Sequence, residues 1–180
     1  FLIPKAPLVE VQRKIAEECQ EQDNDYINAS SRIIEIEKEI EELMRQSQMK
    51  ANNSISLNRA DLFDISIGRR VLKSEIVKDG VYDVYSANVF EPFGKTIHSV
   101  LDDFSKPSVL WVIDGDWMVN YQKAEKPFNP TDHCGVIRVL DETIVNPKYL
   151  VYPLMKVGDA ERFSRSNRAS IERVKALSIM

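Results

Sequence analysis

From Leu8 to Gln48 the chain contains no proline or glycine and is rich in helix-forming residues, so one continuous helix is the simplest structure open to it. Ile15, Cys19, Gln22, Tyr26, Ala29, Ile33, Ile36, Ile40 and Leu43 follow one another at alternating spacings of four and three. That is the seven-residue repeat of a coiled-coil seam. At about 1.5 Å per residue such a helix is a rod of roughly 60 Å, several times the length of an average helix. A small domain cannot cover it, so the seam calls for a partner helix. Ile15, Tyr26, Ile33, Ile36, Ile40 and Leu43 are its helix-pairing residues, with the tighter packing expected towards Leu43. Glu35, Glu37, Glu39, Glu41 and Glu42 form the solvated face.

Residues 47–60 are polar and turn-rich and read as a linker, giving a helical part, 1–50, and a second part, 51–180, whose ordered core begins near Asp61. Beyond the linker the pattern changes to short β-type runs at 63–67, 81–86, 108–113, 117–121 and 135–140. Helical pieces fall on the flanks, as a single turn at 74–78 and short helices at 147–154 and 170–177. The fold class is α+β: a long N-terminal coiled-coil helix followed by a mixed, mostly antiparallel α/β domain.

Composition excludes several classes. With 43% hydrophobic and 29% charged residues in 180, the chain has the balance of a globular protein. No apolar stretch reaches the roughly 18 to 20 residues of a membrane span. Cys19 and Cys134 are far apart and His98 and His133 are the only histidines, so neither a disulfide framework nor a zinc spacing can be built. No metal site is expected. No secretory signal opens the sequence, and Phe1 at its start is expected to mark a fragment of a longer protein of the cytoplasm. The net charge of −4 comes from the helical part, which carries 7 Lys and Arg against 11 Asp and Glu; the remainder is balanced at 17 against 17. A local basic surface is therefore possible despite an isoelectric point near 5.3.

No glycine-rich phosphate loop, nucleophile elbow or metal-binding histidine pair occurs. Asp114, Asp116, Asp132 and His133 are the only candidates for acid–base chemistry, and an Asp-His dipeptide at a turn more often serves as a cap. No catalytic residue is assigned. A better signal lies where basic, amide and aromatic side chains share loops, the types that contact phosphates and base edges. The candidate contacts are Arg69, Arg70, Lys73, Tyr85, Ser86, Asn88, Thr131, His133, Arg165 and Arg168. Arg162 and Arg173 belong to the same C-terminal basic run. Asn88 has the groups for a bidentate pair with adenine, and the arginines have those for guanine or phosphate.

Ile3-Pro4, Pro7-Leu8, Gln12 and Ile15 at the head of the heptad helix resemble the spacer that follows a target-recognition domain in the specificity subunits of type I restriction-modification systems. The second part resembles the recognition domain itself through an ordered series of segments: Phe63-Asp64-Ile65-Ser66-Ile67-Gly68; 80–88; Phe93-Gly94; 107–115; Pro127-Phe128-Asn129-Pro130-Thr131-Asp132; and Asn146-Pro147-Lys148-Tyr149-Leu150. Asp114 stands where many relatives place a basic residue.

The resemblance implies a non-catalytic, sequence-specific DNA-binding module. It would direct an adenine methyltransferase, and an associated restriction nuclease, to half of a bipartite double-stranded DNA target. The helix would be spacer and docking rod. Methyltransferase subunits would be partners and would hold the S-adenosylmethionine; this chain would hold no cofactor. The restriction subunit and a second specificity half, paired through the helix, would complete the partners, a homodimer being one arrangement. The specificity region of a fused restriction-methyltransferase is an alternative source. Two rival readings are a coiled-coil interaction module without DNA readout and an enzyme using Asp132 and His133.

Overall fold

The computed structural model describes residues 8–50 and 54–179, with the side chains of 47–50 outside that description. Ile3, Pro4 and Pro7 of the spacer motif and residues 51–53 of the expected linker therefore lie outside the described residues. The chain forms two compact units, Phe1–Asn52 and Asn53–Met180.

The first unit is one helix, α1, Val9–Lys50. Neighbours three and four apart support it locally. Arg45 forks onto both oxygens of Glu42 at 2.8 and 2.7 Å, and Arg32 meets Glu35 at 2.5 Å. The Arg45 guanidinium, with the Gln46 amide, holds the Glu42 carboxyl at about 2. Such pairs are worth only a few tenths of a kcal/mol each, about the propensity scale of single residues, so they do not replace burial of a face. Ile15, Tyr26, Ile33, Ile36 and Leu43 of the heptad stripe are exposed and Ile40 is half-buried.

The second unit is built on a four-stranded antiparallel sheet of β2 (Phe63–Ile67), β8 (Cys134–Val139), β5 (Ser108–Val112) and β6 (Val119–Gln122), in that order. A three-stranded sheet places β3 (Tyr82–Tyr85) between β4 (Gly94–Thr96) and β7 (Phe128–Pro130), with β3 and β7 parallel. β1 (Ile55–Ser56) pairs with β9 (Ser178–Ile179), tying the beginning of the unit to its end. α2 (Pro147–Ala160) and α3 (Ile171–Lys175) complete it. The α+β class with a long N-terminal helix and a mostly antiparallel domain is thus the observed one.

Every position of β5 is buried, because both faces of its sheet are covered. Val109 and Trp111, with Ile137 and Val139 of β8, face a core that includes Leu150 and Leu154 of α2. The alternate residues Leu110, Val112, Cys134 and Val136 face a second core with Tyr85, Val89 and Phe128. Alternation therefore sorts Val109 to Val112 between two apolar layers, and after Ser108 the strand reads as a continuous apolar run.

Helix α2 contains the buried Pro153 and runs six residues past the expected end at 154. Proline removes a helix hydrogen bond, but burial on both sides of it outweighs that loss. Gly158 lies against Trp117, where a Cβ would come within 2.1 Å of the indole, and the indole N–H donates to Met155 O at 3.0 Å. Asn146 caps the N-terminus by accepting from Lys148 N and Tyr149 N. The expected turn at 74–78 is a 3₁₀ turn at Lys73–Glu75.

Cross-strand from Trp111 stands Gly135, where a Cβ would lie 2.2 Å from the indole ring. The ring cannot withdraw, since its N–H donates to Ala169 O at 2.9 Å within a fully buried site. Gly135→Ala is expected to destabilise the domain by about 1–3 kcal/mol through overpacking, read as a lower urea midpoint. Burial also pushes the Cys134 thiol well above its ordinary range, while Cys19 is exposed. A thiol-specific reagent should label Cys19 alone in the native protein and both cysteines only in denaturant.

Candidate nucleic-acid interface

Backbone hydrogen bonds gather the candidate loops at one rim of the second unit. The segment leaving β2 is held by Gly68 N donating to Cys134 O at 3.2 Å. A Cβ at Gly68 would sit 1.9 Å from Pro130 O, so only glycine lets Arg69 and Arg70 leave alongside the turn between β7 and β8. That turn is held by Thr131 N donating to Tyr85 O at 2.9 Å and by Cys134 N donating to Thr131 O at 3.0 Å. The β5–β6 turn joins through Ile113 N to His133 O, and the loop before α3 through Ala169 N to Ile113 O, each 3.0 Å.

Side chains complete the arrangement. Thr131 Oγ1 donates to Ser86 Oγ at 3.0 Å and accepts from His133 N at 3.2 Å. One oxygen of Asp114 lies 3.3 Å from His133 Nδ1 and 3.3 Å from an Arg168 nitrogen. His133 Nδ1 is buried and makes no hydrogen bond among the described residues, although an Asp114 oxygen lies 3.3 Å away. Asp114, Gly115, Asp116, His133 and Arg165, with Ala87 and Met118, line an open cleft of about 440 Å³.

The structure thus brings together Ser86, Thr131, His133, Arg165 and Arg168, with Arg69 and Arg70 leaving Gly68 beside the same turn. Two expected contacts need correction. Tyr85 is 1% exposed and Thr131 3%, too little for either to touch DNA in this conformation. Tyr85 is a core residue, edge-on to Phe128 with its hydroxyl accepting from Lys126 Nζ; Thr131 positions Ser86 and His133.

Asn88 is exposed, but its Oδ1 accepts from Phe90 N at 2.9 Å and Glu91 N at 3.1 Å. Both lone pairs are thereby engaged, and the carbonyl needed for a bidentate adenine pair is committed to a turn. Arg69 pairs with Glu75 at 3.0 Å; the Leu72 N–H and then the Arg69 guanidinium hold that carboxyl below its usual range. Arg70, Lys73 and Arg165 are exposed, and Arg168 keeps an exposed guanidinium beside Asp114.

The sequence reading gives Asp114 only as an acid–base candidate and does not name Asn120, and both are positioning residues. Asp114 is legible as half of an Asp-Gly turn, but nothing local announces its partners His133 and Arg168. Asn120 Nδ2 donates to the fully buried Val89 O at 2.7 Å and so fixes the loop that presents Asn88, a contact with no signature in sequence.

Neither a family model nor a curated protein matches the chain. Among solved structures it is similar to the crystal structure of a type I restriction-modification system S subunit from M. genitalium, with 21% identity and a TM-score of 0.54. The match covers 71% of this chain and 33% of that one, so the chain spans about a third of the subunit's length. The likeness is one of fold, and it is the fold that the sequence resemblance implies.

Asn88 offers a direct test of turn against base contact. Asn88→Asp keeps the accepting oxygen and should unfold close to wild type, whereas Asn88→Ala should cost about 0.5–2 kcal/mol in denaturant unfolding, as cap losses do.

Proposed function

We propose that residues 51–180 form a sequence-specific DNA-recognition domain that reads half of a bipartite double-stranded target and directs an adenine methyltransferase to it. The observation that carries this reading is the gathering of loops from five separate chain segments at one rim. Between them they present Arg70, Ser86, His133, Arg165 and Arg168 on a fold shared with an S subunit. The arginines and Lys73 suit phosphate contacts and guanine edges, and Ser86 and His133 suit base edges.

In this reading the chain does no chemistry. The methyltransferase subunits hold S-adenosylmethionine and perform the transfer, with a restriction subunit completing the assembly in the prokaryotic cytoplasm. Residues 1–50 act as spacer and docking rod, and Ile15, Tyr26, Ile33, Ile36, Ile40 and Leu43 pair with the helix of a second specificity half, either a different domain or a second copy. Exposure of most of that stripe supports an unfilled seam. The module would serve equally within a fused restriction-methyltransferase.

With 17 positive against 17 negative residues the domain lacks the net charge that drives tight nonspecific binding, so the isolated chain should bind DNA weakly. Exchanging residues 51–178 for another recognition domain in the parent gene tests the proposal through single-molecule methylation sequencing. One half of a bipartite adenine motif should change while the other persists. Survival of every motif would overturn it and favour a coiled-coil interaction module.

A further inference from the structure

Four arginines fall between α2 and the end of α3, and the structure divides them by role. Arg173 is structural: its guanidinium lies 4.7 Å above the Phe163 ring and donates to Asn167 Oδ1 and Arg168 O. Arg168 is paired with Asp114 and Arg165 lines the cleft. Arg162 is exposed and has a φ of 55°, left-handed backbone that an L side chain seldom adopts.

Arg162 occupies that region because it ends α2. Its N–H donates to Asp159 O at 2.9 Å and Phe163 N donates to Gly158 O at 3.1 Å, the paired bonds of a helix stop normally made with glycine. Glycine would serve there with less strain. The loop that follows is rigid: Asn167 Nδ2 donates to both Glu161 O and Arg162 O, and Ser164 and Asn167 exchange backbone bonds of 3.0 and 3.1 Å. Glu125 is the other described non-glycine residue with positive φ, but it lies on no comparable loop of arginines.

We propose that Arg162 is a DNA-backbone contact, extending the Arg165 and Arg168 ledge along the loop to a further phosphate. This rests on the DNA-recognition reading above. A cation on a loop tied by this many bonds loses little freedom when it meets a phosphate, and an exposed side chain at a glycine-type position contributes to binding rather than to the fold. The contact is to phosphate, so it adds affinity without sequence preference.

The test compares the wild-type chain with Arg162→Gly and Arg162→Lys in urea unfolding and in duplex DNA binding between roughly 50 and 200 mM salt. Arg162→Gly should raise the urea midpoint and yet weaken binding to any duplex by roughly five- to tenfold at about 0.1 M salt, with a log–log salt slope shallower by about 0.9. Arg162→Lys should retain the wild-type slope. Unchanged affinity and slope in Arg162→Gly, or a lowered urea midpoint, overturns the inference and leaves DNA recognition standing. Survival of every methylation motif after exchange of residues 51–178 overturns the inference together with the reading beneath it.

Discussion

Trp111 sits where the second unit can least tolerate change. It belongs to a strand buried at every position, faces a glycine across the sheet, and sends its only polar atom to the backbone of the loop before α3. An indole of this size fills the space between sheet and helix, while its N–H would be costly to bury without a partner. Satisfying that N–H with Ala169 O draws the C-terminal loop against the sheet. The same residue's amide then donates to Ile113 O, which leads into the β5–β6 turn. One hydrogen bond in the core therefore helps to fix where Arg165 and Arg168 stand at the surface.

The rim depends on a division of labour between polar residues that hold and polar residues that face outwards. Thr131, Asn88, Asn120 and Arg173 spend their hydrogen-bonding groups on the protein itself, and Asp114 spends its charge between His133 and Arg168. Arg70, Lys73, Arg162 and Arg165 are left facing solvent. Prior fixation of such loops lowers the entropy lost when long cationic side chains meet a polyanion. The carboxylates of Asp114 and Glu75 lie beside Arg168 and Arg69.

Sequence patterning located the main strands because their apolar residues alternate, as in Phe63–Ile67, or run together, as from Val109 to Val112, between turn residues. It missed Phe128–Pro130, a three-residue strand that pairs in parallel with Tyr82–Tyr85 despite Pro127 before it and Pro130 within it, and Gly94–Thr96, whose glycine argues against a strand. It missed Ile55–Ser56 and Ser178–Ile179 because two-residue strands lying more than a hundred positions apart have no local signature. The end of α2 was placed six residues short because the contact that holds its last turns, Gly158 packed on Trp117, joins residues 41 positions apart and has no local signature. Among the candidate contacts, residue type was informative but burial was not: Tyr85 and Thr131 have the chemistry of contacts and the positions of supports.

The sequence by itself determined the long helix, its seven-residue stripe, the α+β class and the pool of basic and amide residues from which an interface could be drawn. These follow from local rules, since helix propensity, side-chain periodicity and turn chemistry act over a few residues. Tertiary structure alone decided which members of that pool reach the surface, which carbonyls are already occupied, and that five distant segments share one rim. Those outcomes depend on hydrogen bonds such as Trp111 to Ala169 and contacts such as Gly68 against Pro130, where the partners are dozens of residues apart and neither announces the other.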